Sequence, residues 1–473
     1  MVSIMKRIFI MAALPLIFAA CSKEAPAKED PAGEGTAIVE SGKKSINVNI
    51  AQFEAPAAAT ETAEEAETRV AFGTESAGTM PLVWSEGDEI ALIQDKGLAT
   101  QKVSVFRLSG TGGSESGTFV FVSGDEPGDD ANLKDAIYPA SAFSSWAIPQ
   151  AQTYSAGTID KNAAVMTWHS DSGIGVDGIT FSPLGSVVCL QLTGISTLSV
   201  TSVTVTVDST PYTLSCATPV TPLEEAVPFY ISVPGCTDQT IDFDINFKYG
   251  EAAKTVKKAT FNKTFEAGKL HRFPAKDIVD VGDLIDGGMV FTNYLRNSTP
   301  DPDSKSKFVK IMSLDGTTNI CFSTENVHLG TERTNEAKIT RDDGTNNREK
   351  ILNTPNYSAE TYPAPAWCHS HGEGWHLPTD MDLVTIQNSF LYSGTTSTTL
   401  ADKCKVLIEH FGGTMLEYNT ASGLVYISSA ELETDTSKVR TRSLSTKKKN
   451  ASSVLKSYDE SIYIRAVKVL NFE

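Results

Sequence analysis

Over much of the span from residue 45 to residue 280, apolar side chains fall on alternate positions. Ile46, Val48 and Ile50 alternate with Asn47 and Asn49, Val203, Val205 and Val207 stand between threonines, and Ile241, Phe243, Ile245 and Phe247 flank Asp242, Asp244 and Asn246. A period of two puts one side of each segment in a core and the other in water, which predicts strands. Further strands are expected at 89–93, 102–108 and 118–122, separated by Gly, Asp and Pro turns. The turn-rich stretch 170–177 precedes a strong buried run at 181–192. The region therefore divides near Gly175 into two β-sandwiches, 45–175 and 176–277.

Beyond a linker at 276–283 the pattern becomes mixed. Thr379, followed three residues on by Asp382, predicts a capped helix through about Leu391. Leu400, Cys404, Leu407 and Phe411 share one helical stripe that Gly412 and Gly413 stop. Strands return at 423–428 and 461–470, making 284–473 an α+β domain. The whole chain is thus expected to be mainly β, two sandwiches followed by this third domain.

The segments before and after the first strand cannot build a core. Residues 21–44 form a tether of Ser, Lys, Glu, Ala, Pro and Gly after Cys21, and 55–67 is rich in Ala, Thr and Glu. The strand at 46–50 is therefore isolated between two low-complexity stretches. Earlier still, Lys6 and Arg7 precede an apolar run at 8–18, and Ala19 and Ala20 precede Cys21. That order is a secretory signal, residues 1–20, and a Cys directly after the small pair suits a bacterial lipoprotein peptidase. The run is shorter than the roughly 20 apolar residues a membrane-spanning helix needs, and no later run reaches that length. Membrane attachment is expected only through a lipid anchor on Cys21, which requires at least two acyl chains to hold stably. An ordinary signal with a coincidental Cys is the alternative.

Forty Lys and Arg against 58 Asp and Glu give the 473-residue chain a net charge of −18. Such a chain does not hold nucleic acid or anionic lipid by electrostatics. Besides Cys21, the cysteines fall into one group at Cys189, Cys216 and Cys236 and another at Cys321, Cys368 and Cys404. Each group leaves at least one thiol unpaired if bridges stay within domains, so this is no disulfide framework. No G-x-S-x-G elbow, P-loop, dinucleotide fingerprint or His-Glu-x-x-His element occurs. Neither an enzyme activity nor a cofactor is expected. His369 and His371 on an extended segment would point the same way, with His376 close by, and such a pair suits Zn²⁺ or Cu²⁺. Without carboxylates placed beside them, the favoured reading is exposed histidines next to a structural Cys368, and no metal. Arg440, Arg442 and the lysines at 447–449 read as a solvated hairpin loop.

The segment Thr68-Arg69-Val70-Ala71-Phe72, followed by Val83-Trp84-Ser85-Glu86-Gly87-Asp88-Glu89-Ile90, resembles the opening of the Mfa-like fimbrillin family. Ile137-Tyr138-Pro139-Ala140, Ile148-Pro149-Gln150, Phe181-Ser182-Pro183-Leu184 and Ala267-Gly268-Lys269-Leu270 continue the resemblance through about residue 277. It implies a pair of transthyretin-like β-sandwiches, exported as a lipoprotein and assembled into type V pili. In that family a trypsin-like protease cuts after a basic residue and removes the first strand, and the C-terminal strand of a neighbouring subunit fills the groove. The physical logic is β-augmentation, since a removed strand leaves unpaired backbone groups and an apolar face. Carried onto this chain, 46–50 is the removable strand, 55–67 the exposed loop and Arg69 the cleavage residue, with Lys43 and Lys44 as other basic sites.

In the third domain, Asp286-Gly287-Gly288-Met289-Val290-Phe291, Ala366-Trp367-Cys368, Gly374-Trp375-His376-Leu377-Pro378-Thr379, Tyr426-Ile427-Ser428-Ser429-Ala430-Glu431 and Tyr463-Ile464-Arg465-Ala466-Val467 stand in order. This set resembles the C-type-lectin-like superfamily, and more narrowly bacterial surface domains of that fold. Trp375 and Leu377 are expected in the core, with Pro378 ending a strand and Thr379 capping the helix. The Glu-Pro-Asn or Gln-Pro-Asp loop and Trp-Asn-Asp strand of calcium-dependent lectins are missing, so no such glycan site is expected. Trp367, Tyr362, His369 and His371 are the expected ligand-contact loop, because aromatics beside polar loops are common at recognition surfaces.

Together the resemblances imply a tip fimbrillin. A shaft subunit donates its C-terminal strand, whereas here that end belongs to an added domain. The expected partners are other fimbrial subunits by strand donation, a trypsin-like processing protease and a host or bacterial surface ligand. The expected location is the outer membrane for the lipid-anchored precursor and the cell-surface fimbrium after assembly. The alternative is a surface lipoprotein that never polymerises and binds glycan or protein through its lectin-like domain.

Overall fold

The structure, a computed structural model, describes residues 43–54, 71–72, 79–295, 307–324, 342–391, 399–414, 425–432, 435–444, 450–460 and 462–472. The expectations for the signal, Cys21, the loop 55–67, Arg69 and the lysines at 447–449 lie outside the described residues. The fold is mainly β.

The first β region closes on itself. Strands Ser45–Ile50, Ile179–Pro183, Met166–His169, Asp135–Tyr138, Glu89–Gln94, Lys102–Leu108 and Ser116–Gly124, in that spatial order, form a seven-stranded closed barrel rather than an open sandwich. Closure leaves no sheet edge. Its core gathers Ile46, Val48, Ile50, Leu92, Phe106, Phe119, Tyr138 and Phe181 around Trp84.

The chain crosses between the two β regions near the expected boundary. Ile179–Pro183, beyond Gly175, belongs to the barrel, while Ala151–Thr153, before it, pairs in parallel with Thr210–Val220 of the next sheet. A division at residue 175 therefore assigns both strands to the wrong body. Alternation reports which face of a strand is buried, not which sheet it joins.

The second β region is a two-layer sandwich. One layer holds Val227–Val233, Ser186–Thr193 and Leu270–Arg272, with Lys276–Asp277 also on Ser186–Thr193. The other begins as Ala151–Thr153, Thr210–Val220, Leu198–Val207, Cys236–Tyr249 and Ala252–Phe265. Val188, Leu190 and Ile231 of the first layer meet Val203, Val205, Ile241, Phe243, Ile245 and Phe247 of the second in one core.

That second layer does not stop at the expected linker. Leu284–Ile285 pairs with Val256 and Lys257, and the sheet runs on through Gly288–Asn293, Phe308–Ser313 and Val467–Asn471 to nine strands. The C-terminal α+β region is thus hydrogen-bonded into the sandwich. It adds a five-stranded sheet and, among the described residues, the helices Asp342–Leu352, Pro363–His369, Asp380–Phe390 and Thr399–His410.

Helix Asp380–Phe390 begins at the capping box that the sequence predicts. The Asp382 N–H donates to Thr379 Oγ1 at 3.0 Å and the Thr379 N–H to Asp382 Oδ2 at 2.9 Å. Leu383, Ile386 and Phe390 then bury against Met289, Phe291, Met312, Cys404 and Ile408. The single strand expected at 461–470 is instead Ile462–Ile464 and Val467–Asn471, in different sheets. Between them the buried Arg465 guanidinium donates to the carbonyl oxygens of Ser313, Leu314 and Thr414 at 2.9, 2.9 and 2.7 Å. The six described cysteines are all free thiols.

Candidate functional site

The strand Ser45–Ile50 is the stave that completes the barrel. It runs antiparallel to Ser116–Gly124 and parallel to Ile179–Pro183, with Val48 opposite both Gly117 and Ile179. Ile46, Val48 and Ile50 point inward and are buried, while Ser45 and Asn47 face water. Each inward aliphatic contributes about 1.5–3 kcal/mol by leaving water, so the strand is held mainly by three side chains and two rows of backbone bonds.

The motif Trp84-Ser85-Glu86-Gly87-Asp88 builds the floor beneath it. Gly87 has φ 81°, which turns the chain so that buried Asp88 accepts the Ser85 N–H at 2.8 Å and the Tyr138 hydroxyl at 3.1 Å. Trp84 then lies edge-on to Phe119, Tyr138 and Phe181 at centroid distances of 4.9, 5.3 and 6.2 Å. Gly178, at φ 76°, lies so close that a Cβ there would sit 2.1 Å from the Asn47 carbonyl oxygen. The backbone of the stave is thus seated on a residue that admits no side chain.

Beyond the barrel the same segment reaches the sandwich. Phe53 is buried, Phe53–Glu54 pairs with Thr79–Met80, and the Glu54 N–H donates to the Gly268 carbonyl at 3.0 Å. The Glu54 carboxylate accepts from Lys269 Nζ at 2.7 Å. At the other end Lys44 pairs with Asp130 at 2.7 Å.

The four residues expected to form a ligand-contact loop are dispersed in depth. Tyr362 has no exposed surface, packing edge-on to Phe322 and stacked on Tyr357, so its place is in the core. This overturns its assignment to a contact surface, because the ring is packed between Phe322 and Tyr357. Trp367 is half-buried, with its ring centroid 4.5 Å from that of His371. His371 Nε2 lies 2.9 Å from Asp315 Oδ1 and Nδ1 lies 3.1 Å from the Trp367 carbonyl.

His369 ends the helix Pro363–His369, so it and His371 do not share an extended segment. His369 Nδ1 meets the Tyr357 hydroxyl at 2.7 Å. Burial, then the nearby charges of Arg348 and His376, push its imidazole down to about 4. Among the described residues, no three His, Cys, Asp or Glu side chains converge as a metal site.

Two buried ion pairs escaped sequence reasoning. Arg442, expected in a solvated loop, is buried and donates to both oxygens of Asp380 at 3.1 and 2.9 Å. Lys310 Nζ meets Asp382 Oδ1 at 2.7 Å, with side chains 4% and 1% exposed. The near-continuous apolar run of strand Phe308–Ser313 was the available signal for Lys310, since a strand apolar on both faces is buried on both and carries the lysine in with it.

No family model and no curated protein matches the chain. Among solved structures, it is similar to the crystal structure of a candidate cell adhesion protein from Bacteroides fragilis. That match has 12% identity and a TM-score of 0.27, over 51% of this chain and 96% of that one. It is also similar to the tip fimbrial protein Mfa3 from Porphyromonas gingivalis with C-terminal truncation. There the identity is 11% and the TM-score 0.19, over 38% of this chain and 78% of that one. Scores this low do not establish a shared fold.

Proposed function

We propose that the chain is a cell-surface fimbrial subunit whose barrel accepts a strand from the next subunit in place of Ser45–Ile50. The observation that carries this reading is that one strand closes the barrel while low-complexity sequence flanks it on both sides. Cleavage after Arg69 severs that strand from the remainder without breaking any other strand of the barrel. The gap exposes the backbone groups of Ser116–Gly124 and Ile179–Pro183 and the apolar faces of Phe119 and Phe181. An extended segment with alternating apolar side chains restores both.

The subunit belongs at the fimbrial tip on this reading. The strand Val467–Asn471 is paired with Phe308–Ser313 at the edge of the nine-stranded sheet and buries Val467 and Leu470, which argues against its release as a donor. The C-terminal domain is then the presented adhesive head, of C-type-lectin-like kind, and the two β regions are the docking module. Export as a lipoprotein on Cys21, processing by a trypsin-like protease and passage from outer membrane to fimbrium complete the proposal.

The test is N-terminal sequencing and intact mass of the protein from sheared fimbriae and, separately, from the outer membrane. A lipidated form starting at Cys21 in the membrane and a form starting at Val70 in the fimbriae are expected. Only the uncut lipidated form, absent from fimbriae, would leave a non-polymerising ligand-binding lipoprotein.

A further inference from the structure

We propose that the groove reads a carboxylate: the incoming strand carries an acidic side chain at the position of Glu54, and Lys269 binds it. The inference rests on the strand replacement proposed above and specifies which strand fits.

Glu54 lies at the far end of the segment, where the barrel meets the sandwich. It joins Lys269 through a parallel backbone bridge and the 2.7 Å ion pair. A cleft of about 430 Å³ opens there, lined by Lys263, Lys269, His271 and Arg272, with Glu54 as the acid of that lining. A cut after Arg69 takes Glu54 away with the strand. Among the described residues, Glu266, 3.4 Å from Lys269 Nζ, then remains as that lysine's acidic neighbour. A cationic end on a groove otherwise made of apolar and backbone groups selects a strand by charge and by register together. Shifting the strand by one residue would move its acid off Lys269 and turn its apolar side chains outward.

The chain carries the required pattern twice. Val48-Asn49-Ile50-Ala51-Gln52-Phe53-Glu54 and Val467-Lys468-Val469-Leu470-Asn471-Phe472-Glu473 share β-branched residues at the first and third positions, an amide at the fifth and Phe-Glu at the close. The occupant is an extended strand of a different neighbouring subunit with this ending, since Val467–Asn471 of this chain stays paired with Phe308–Ser313.

The experiment cuts the full chain after Arg69 and measures displacement of the segment by amidated synthetic peptides of residues 45–54 and 464–473. Both are expected to exchange in. Changing the last residue, Glu54→Gln or Glu473→Gln, is expected to weaken each about two- to fivefold in low salt, with the difference lost near ~0.5 M salt. A Lys269→Glu chain should prefer the Glu54→Lys peptide. In the uncut chain, Glu54→Gln should speed amide exchange at Phe53 and Glu54 by the same factor.

Exchange of the 45–54 peptides with equal affinity for Glu and Gln, or no effect in the uncut chain, overturns the carboxylate while strand replacement stands. Failure of the 464–473 peptide overturns the shared ending as the recognised feature. A segment that no peptide displaces overturns strand replacement and the inference with it.

Discussion

Asp382→Ala tests whether the C-terminal domain is locked by a buried charge pair. Lys310, 4% exposed, has the Asp382 carboxylate 2.7 Å away. That carboxylate also accepts from the Thr379 N–H and hydroxyl, each at 2.9 Å. Removing it leaves a buried ammonium without its counter-charge, which costs about 3–5 kcal/mol, and undoes half of a capping box, which costs about 1 kcal/mol. The double variant Lys310→Met with Asp382→Ala removes the orphaned charge and should recover all but roughly 1–2 kcal/mol. Because chains of several hundred residues commonly unfold in more than one step, the proper assay is native-state amide exchange of helix Asp380–Phe390 rather than a global melt. A single variant that costs under about 1 kcal/mol, or a double variant as unstable as the summed singles, would refute the reasoning.

The same pair sets a pH dependence. Burial pushes the Asp382 carboxyl up, but Lys310 and the hydrogen bonds outweigh it and hold the carboxyl below its ordinary value. As pH falls, the unfolded carboxyl is protonated first. The stabilisation is therefore whole above about pH 4 and is lost as pH falls through the lower folded value.

Gly178→Ala should loosen the Ser45–Ile50 strand by about 1–3 kcal/mol, because a Cβ would meet the Asn47 carbonyl at a φ of 76°; unchanged amide exchange across Asn47–Ile50 would contradict this. Tyr362→Ala should cost about 3–5 kcal/mol by opening a core cavity, and a loss under about 1 kcal/mol in amide exchange of the surrounding helices would contradict its placement. His369 should keep a neutral ring in NMR spectra down to about pH 5, given its depression to about 4. Since the unfolded imidazole protonates first as pH falls, its contribution to stability declines below about pH 6.5, and a titration midpoint above 6 would refute the burial argument.

Strand faces were legible because period two is a local property: Val203, Val205 and Val207 are buried as their spacing requires. Helix Asp380–Phe390 was legible because Thr379 and Asp382 satisfy backbone donors within one turn. Partners were not legible. Nothing local tells Ile179–Pro183 to close the barrel, or Arg442 to seek Asp380. Two helices were hidden for opposite reasons. Pro363–His369 opens with Pro363 and Pro365, which read as a loop yet suit a first turn. Asp342–Leu352 is polar apart from Ile351 and Leu352, and has no stripe to reveal it. Missing the first of these produced the mistaken pairing of His369 with His371 on an extended segment.

The nine-stranded sheet gives the molecule a mechanical character. A tether pulling on the C-terminal domain loads backbone bonds shared with the sandwich, and the load passes through Leu284–Ile285, a strand only two residues long. The ion pairs Lys258 to Asp283 and Lys254 to Asp286, and the His410 to Asp242 contact at 2.6 Å, brace that neck from both sides. That neck has two residues of pairing, beside strands of 14 residues each in Cys236–Tyr249 and Ala252–Phe265. The span from Lys276 to Asp283 gives that neck no slack, because Lys276–Asp277 is paired with Ser186–Thr193 and Ile278, Val279 and Asp283 are buried, so a pull on the C-terminal domain is felt directly by the sandwich.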